Sequence, residues 1–369
     1  MRVDISTHVL REQDNIYVVR PGEDYWLFDH FRRSNRIFLD FPDLDLDPLE
    51  ELPEDKEMRL QVVRSLAIRD WHDNDNFGPR PADDTSDFEG QDYRQRLGRY
   101  IGAIRKLREL PEGTVIVVPG EGYFGEVLIG KLVGLPHMHS WQAIYDGEPM
   151  LARRVKWFRS KQRGTFSDLM RDRLSRPDPV MLLDRSLRKE VVAAGFDQYI
   201  FAGTFSARIN TEEDDFNTLN EYYIQSFLNY ITGVLIAAEQ GVENQVPYAE
   251  AINYLREHPE RAMELKLNIN SRGFQRIIDH TVAPLATVAL LTAGIAYGAD
   301  LGNVDLAQAI QIVNSAAPND DCTIEVAQRV ESARELMMLD DWEQQCRQLH
   351  DVEEATGLST EMGVEDDEA

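Results

Sequence analysis

The chain is predicted to have an α+β fold: a β-rich module with a small barrel and a helical insert over 1–208, an all-α domain over 209–358, and an acidic tail over 359–369. Two observations predict this division. Short β-branched and aromatic runs (NIYVV, RIFLDF, TVIVV, EVLIG, RRVKWF) crowd the first half and suit strands, whereas helical spacing takes over past about residue 210. The formal charge divides too. Residues 101–190 carry 16 basic and 11 acidic side chains, whereas 191–369 carry 9 and 31, within a total of −26. The last stretch would repel a polyanion, so a phosphate-binding surface is expected in the middle third.

Residues 15–42 read as a strand, a short helix around Trp26–Arg33 and a second strand, followed by an acidic loop and a helix near 56–70. Residues 73–92 are rich in Asp, Asn, Gly and Pro, offer little to bury, and read as an exposed insertion. Within 93–110, Leu97, Ile101, Ile104 and Leu107 recur at helical spacing. Two strands joined by a glycine-rich turn follow from Thr114, then a polar-aromatic loop, then the strand ARRVKWFRSK. Thr165, with Asp168 three residues on, approximates a capping box at the start of a short helix. Past 210 the candidate helices are 213–239, 247–257, 259–267, 270–280, 282–298, 303–315 and 321–356.

The third strand carries the main functional signal. Arg153, Arg154, Lys156, Arg159, Lys161 and Arg163 fall between 151 and 163 with no acid among them. Alternate strand residues share a face, so Arg154 and Lys156 point one way while Val155 and Trp157 enter the core. Cations along one edge can contact successive phosphates, and the six are the expected nucleic-acid-binding residues. The bland alternative is a solvated edge strand that uses charge against aggregation. Tyr123, Phe124 and Trp141 are base-stacking candidates.

Other motifs point less far. Gly120, Gly122, Gly125 and Val127 fit a phosphate loop in spacing, but no helix opens inside the motif and no kinase lysine or catalytic loop follows; the glycines read as a hairpin turn. His137 and His139 resemble a metal pair with Asp146 as the candidate third ligand, but two histidines in a polar loop fall short of the three oriented ligands a site needs. Glu264 and Lys266 have the E-x-K form of a metal-dependent nuclease but sit in an apparently helical stretch. The uncharged run 281–298 reaches the lower limit for a membrane span; Pro284 and the flanking Asp279 and Asp300 favour a buried core helix. Cys322 and Cys346 are too few for a disulfide framework, and the N-terminus lacks a secretory apolar region, so a cytoplasmic protein is expected.

Val18 to Gly22, Val115 to Pro119, Gly125 to Gly130 and Arg154 to Trp157 together resemble the N-terminal module of Mrr-like, modification-dependent restriction endonucleases, over roughly residues 15–205. The resemblance implies an SH3-like or PUA-like barrel and a prokaryotic antiviral-defence setting. The usual nuclease core of that family is not recognisable after residue 210. No catalytic residue, metal or cofactor is therefore expected. The expected partners are nucleic acid, DNA ahead of RNA, and protein subunits or a second copy through the helical domain; a membrane is not. The rival functions are a diverged nuclease through Glu264 and Lys266 and a membrane effector through 281–298.

Overall fold

The computed structural model describes residues 1–90, 97–212, 216–268, 273–298, 310–318 and 320–365. The chain forms two compact units, one of residues 13–195 and one joining 1–12 to 196–369. It opens with two short strands of the latter, β1 (Arg2–Asp4) and β2 (His8–Leu10).

In the unit 13–195, strands β3 (Ile16–Val19), β4 (Arg36–Phe38), β5 (Val115–Pro119), β6 (Glu126–Ser140), β7 (Pro149–Gln162) and β8 (Val180–Leu182) form one sheet in the order β4-β7-β6-β5-β3-β8. The β3–β5 pair is parallel and the other pairs are antiparallel. This corrects the expected small barrel. The three-residue strands β4 and β8 are the two edges, with four strands between them, and the described strands make an open sheet.

Helices α1 (Phe28–Ser34), α2 (Asp55–Asp73), α3 (Leu97–Glu109), α4 (Asp168–Ser175) and α5 (Arg185–Gly195) complete this unit. Met58, Val62 and Leu66 of α2 and Ile101, Ile104 and Leu107 of α3 share a core with Ile116, Leu128, Leu132 and Val155 of the sheet. At about 25 cal/mol per Å² of apolar surface removed from water, such burial is the main force holding helices to strands. Helix α5 lies on β6 and β7, where Gly195 sits so close that a Cβ there would come within 2.7 Å of Ile129. The N-cap of α4 is Ser167, whose Oγ accepts from the Met170 amide at 3.3 Å; Thr165, the expected cap, lies in the preceding turn.

The other unit adds β9 (Tyr199–Phe201), β10 (Thr204–Asn210), α6 (Thr218–Glu239), α7 (Tyr248–Glu257), β11 (Glu264–Asn268), β12 (Phe274–Asp279), α8 (Ala283–Gly298), β13 (Gln311–Val313), α9 (Asp321–Leu336), α10 (Leu339–Thr356) and β14 (Gly363–Glu365). It holds a sheet of order β11-β12-β10-β9-β2 and another of order β13-β1-β14. The expected all-α domain is thus corrected to a mixed one, and the expected boundary at 208/209 falls inside β10. Residues 264–268, rich in good helix formers, are a strand because pairing with β12 outweighs local propensity. The predicted acidic tail includes β14, which pairs with β1. Asp300 and residues 93–96, 213–215, 269–272, 299–309 and 366–369, on which some predicted helices and the end of the tail fall, lie outside the described residues. The 281–298 run holds α8, whose Leu285, Val288, Leu290 and Leu291 are fully buried. Among the described residues no helix is long and apolar enough to cross a membrane.

Candidate nucleic-acid interface

Strand β7 alternates as its sequence dictates: Arg154 and Lys156 are exposed, Arg153 and Val155 buried. Register pairing places two further cations on the same face. Arg36 of β4 stands opposite Arg154, and Lys131 of β6 stands opposite Lys156. A bulge shifts the register between Ile129 and Gly130, pairing them with Arg159 and Trp157 and leaving Phe158 unopposed. Gly130 is required there, since a Cβ would come within 2.6 Å of the Lys156 carbonyl oxygen. The ring of Phe158 lies 6.0 Å from Lys131 Nζ and 5.7 Å from Lys156 Nζ, within reach of a cation–π attraction.

The electrostatics follow from this crowding. Burial chiefly, and Lys156 in addition, pull the Lys131 ammonium below the usual lysine range, against an opposing pull from Asp14. His137 and His139, further along β6, are depressed by burial first and then by Arg36 and Arg154; the Leu135 carbonyl partly offsets this for His137. A row of like charges next to neutral imidazoles is a surface that an anion would stabilise.

Two of the six predicted cations do not belong to this surface. Arg153 is 1% exposed, and its guanidinium donates to the carbonyls of Leu107 (3.1 Å), Arg108 (3.4 Å), Leu110 (2.7 Å) and Gly134 (3.0 Å). It caps the C-terminal end of α3, whose last carbonyls lack helical partners. Arg163 is likewise buried, donating to the Gly120 carbonyl at 3.2 Å, Ser175 Oγ at 2.5 Å and Tyr25 Oη at 3.3 Å. Both are structural arginines. Arg159 and Lys161 are half-buried past the bulge, where Arg159 pairs with the buried Ile129.

The three aromatic candidates separate as well. Tyr123 and Phe124 are exposed on the β5–β6 turn and meet edge to face at 5.2 Å, with the Arg171 guanidinium 5.3 Å from the Tyr123 ring. They lie near the Gln162 end of β7, roughly 26 Å from Arg154 by strand rise. Trp141 packs against Phe38 and His139, with centroids at 4.3 and 4.1 Å. In the glycine turn, a Cβ on Gly125 would collide with the Glu121 carbonyl oxygen at 2.1 Å, so the turn closes only with glycine.

The remaining motifs stay apart. Asp146 accepts from Asn76 Nδ2 at 3.1 Å and does not join His137 and His139. Among the described residues no group of three His, Cys, Asp or Glu is placed to hold a metal ion. Glu264 and Lys266 sit exposed on β11, 3.5 Å apart, on a strand where a helix was expected. What sequence spacing alone missed is Arg36 and Lys131. Lys131 was visible as the lone cation in EVLIGKLVG, but only the register brings it to Lys156. No family model, no curated protein and no solved structure matches this chain.

Proposed function

We propose that the unit 13–195 binds nucleic acid through its phosphates, across the sheet face formed by Arg36, Lys131, Arg154 and Lys156. The observation that carries this reading is the pair of like-charged register partners, Arg36–Arg154 and Lys131–Lys156, side by side on one face of adjacent strands. Like charges directly opposite are unfavourable in a sheet, and a phosphate backbone lying across them would offset that repulsion. The resemblance to Mrr-like modules supports DNA as the polyanion and a cytoplasmic, antiviral-defence setting, with the unit 196–369 engaging partner subunits. The formal charge is lopsided in the same direction: that unit, with its N-terminal strands, carries 11 basic and 33 acidic residues, whereas 13–195 is close to balanced with 28 and 32, so a cationic face there is a local feature.

Fluorescence anisotropy of labelled duplex and single-stranded DNA, titrated with the full chain, tests the reading. Arg154→Ala/Lys156→Ala should weaken binding at least about tenfold at low salt. Equal affinity of the double variant and the wild type would remove it.

A further inference from the structure

The unit 13–195 also holds a cleft of about 330 Å³ that shares no residue with the basic sheet face. Its lining includes Asp40 just past β4, Arg69 in the last turns of α2, and Tyr100 in the first turn of α3. A smaller cavity of about 170 Å³ adjoins it, and Asp40 and Arg69 line both.

Asp40 is fixed from behind. Its Oδ1 accepts from Tyr145 Oη at 2.5 Å and its Oδ2 from Trp26 Nε1 at 3.3 Å. Burial raises its pKa above the usual carboxylate range, with Tyr145, Arg69 and Trp26 opposing. Arg69 is different. Its side chain is only 19% exposed, yet its contacts to Asp40 (3.7 Å) and Asp70 (3.9 Å) are ion pairs beyond hydrogen-bond length, and it makes no hydrogen bond among the described residues. Its guanidinium nitrogens are not sealed in the interior, and they line the cleft without an internal hydrogen bond, so they can donate to a ligand that enters it. Tyr100, half-buried, packs edge to face on Phe41 at 5.1 Å and has no hydrogen-bond partner for its hydroxyl among the described residues. Around this group the backbone holds left-handed non-glycine residues at Asp24 (φ 49°), Tyr25 (φ 62°) and Tyr145 (φ 49°). Such strain persists where surrounding structure over-determines it, often at ligand sites.

The chemistry of the lining narrows the ligand. The other two arginines are occupied: Arg20 donates to the carbonyls of Gly22, Ser175 and Arg176, and Arg99 pairs with Asp178 at 3.2 Å. With Glu23, Asp24 and Asp40 also present, the cleft has no surplus of positive charge and does not suit a phosphate. It offers one acceptor and one donor side by side, next to an aromatic and proline wall. A flat ring with a donor and an acceptor on adjacent edge atoms matches this. The volume is at the small end of ligand sites, suited to a single nucleoside.

We propose that this cleft binds a nucleobase, packed against Tyr100, Pro177 and Pro179 with its polar edge on Asp40 and Arg69. The base could be supplied by a free nucleoside or by a single-stranded chain; the recognition chemistry is the same.

Saturation-transfer NMR and calorimetry on the full chain, with adenosine, guanosine, cytidine, thymidine and a mixed-sequence single-stranded octanucleotide, test this. At least one nucleoside or the octanucleotide should bind saturably, and Arg69→Gln should weaken it at least about tenfold, the loss of a charged hydrogen bond. Thermal melting checks that the variant folds; where it does not, Tyr100→Ala carries the same expectation. Nucleoside binding lost in these variants supports a free-base site, and octanucleotide binding lost in them supports a strand-borne base. No saturable binding by any of the five, or binding that both variants retain, overturns the proposal. Octanucleotide binding lost only in Arg154→Ala/Lys156→Ala overturns it too, while leaving the sheet-face reading intact.

Discussion

Lys131 and Lys156 stand opposite each other as register partners on β6 and β7, with both ammonium groups within about 6 Å of the Phe158 ring. The two like charges repel each other across the strands, and the shared Phe158 ring offsets only part of that repulsion. The arrangement separates what the fold needs from what a polyanion would need, and the two can be measured independently.

Replacing one partner should therefore move stability and binding in opposite directions. Lys156→Gln relieves the repulsion across the strands and should leave the unit as stable as the wild type or more so, by up to about 0.5 kcal/mol. DNA affinity should fall in the same variant. Urea denaturation beside anisotropy checks both. A variant that loses stability while keeping its affinity would mean that Lys156 serves the fold.

Arg153 should behave in the contrary way. Arg153→Met leaves the carbonyls of Leu107, Leu110 and Gly134 without their donor in a buried place. Loss of a buried, charge-assisted set of this kind should cost about 2–4 kcal/mol. Equilibrium denaturation should show the loss, and the salt dependence of DNA binding by the folded fraction should not change.

The histidines report on the same face through pH. Arg154 contributes to holding His137 and His139 below their ordinary pKa. A base with a depressed folded pKa takes up protons more readily when unfolded. Stability therefore falls as pH drops below the unfolded value of about 6.5 and keeps falling until the folded value is passed. Arg154→Ala should raise both histidine pKa values in an NMR titration and shrink this acid-side loss. Unmoved imidazole titrations would place Arg154 too far away to matter.

Much of the first unit was legible in the sequence. The alternation of Arg154, Val155 and Lys156 gave each its face, and the Leu97–Leu107 spacing gave α3, because both periods are local. The burial of Arg153 was not legible, because its partners are carbonyls at and just past the end of α3, more than 40 residues away, and the Gly134 carbonyl on β6. Nor was the open sheet, since the parallel β3–β5 pairing joins strands about 100 residues apart. In the second unit, Glu264–Asn268 looked helical because Glu, Leu and Lys favour helix in isolation, and only the partner strand β12 reveals otherwise. The cleft residues Asp40 and Arg69 carry no motif at all. Their meeting depends on how α2 seats on the sheet.

The most direct test of the basic face is the slope of log binding constant against log salt for duplex DNA, measured for the full chain and for Arg154→Ala/Lys156→Ala. Each phosphate contact contributes roughly 0.9 to the slope, so the double variant should have a slope shallower by about 1.8. A slope identical to that of the wild type would mean that Arg154 and Lys156 displace no counterions, and that the face is not a phosphate-binding surface.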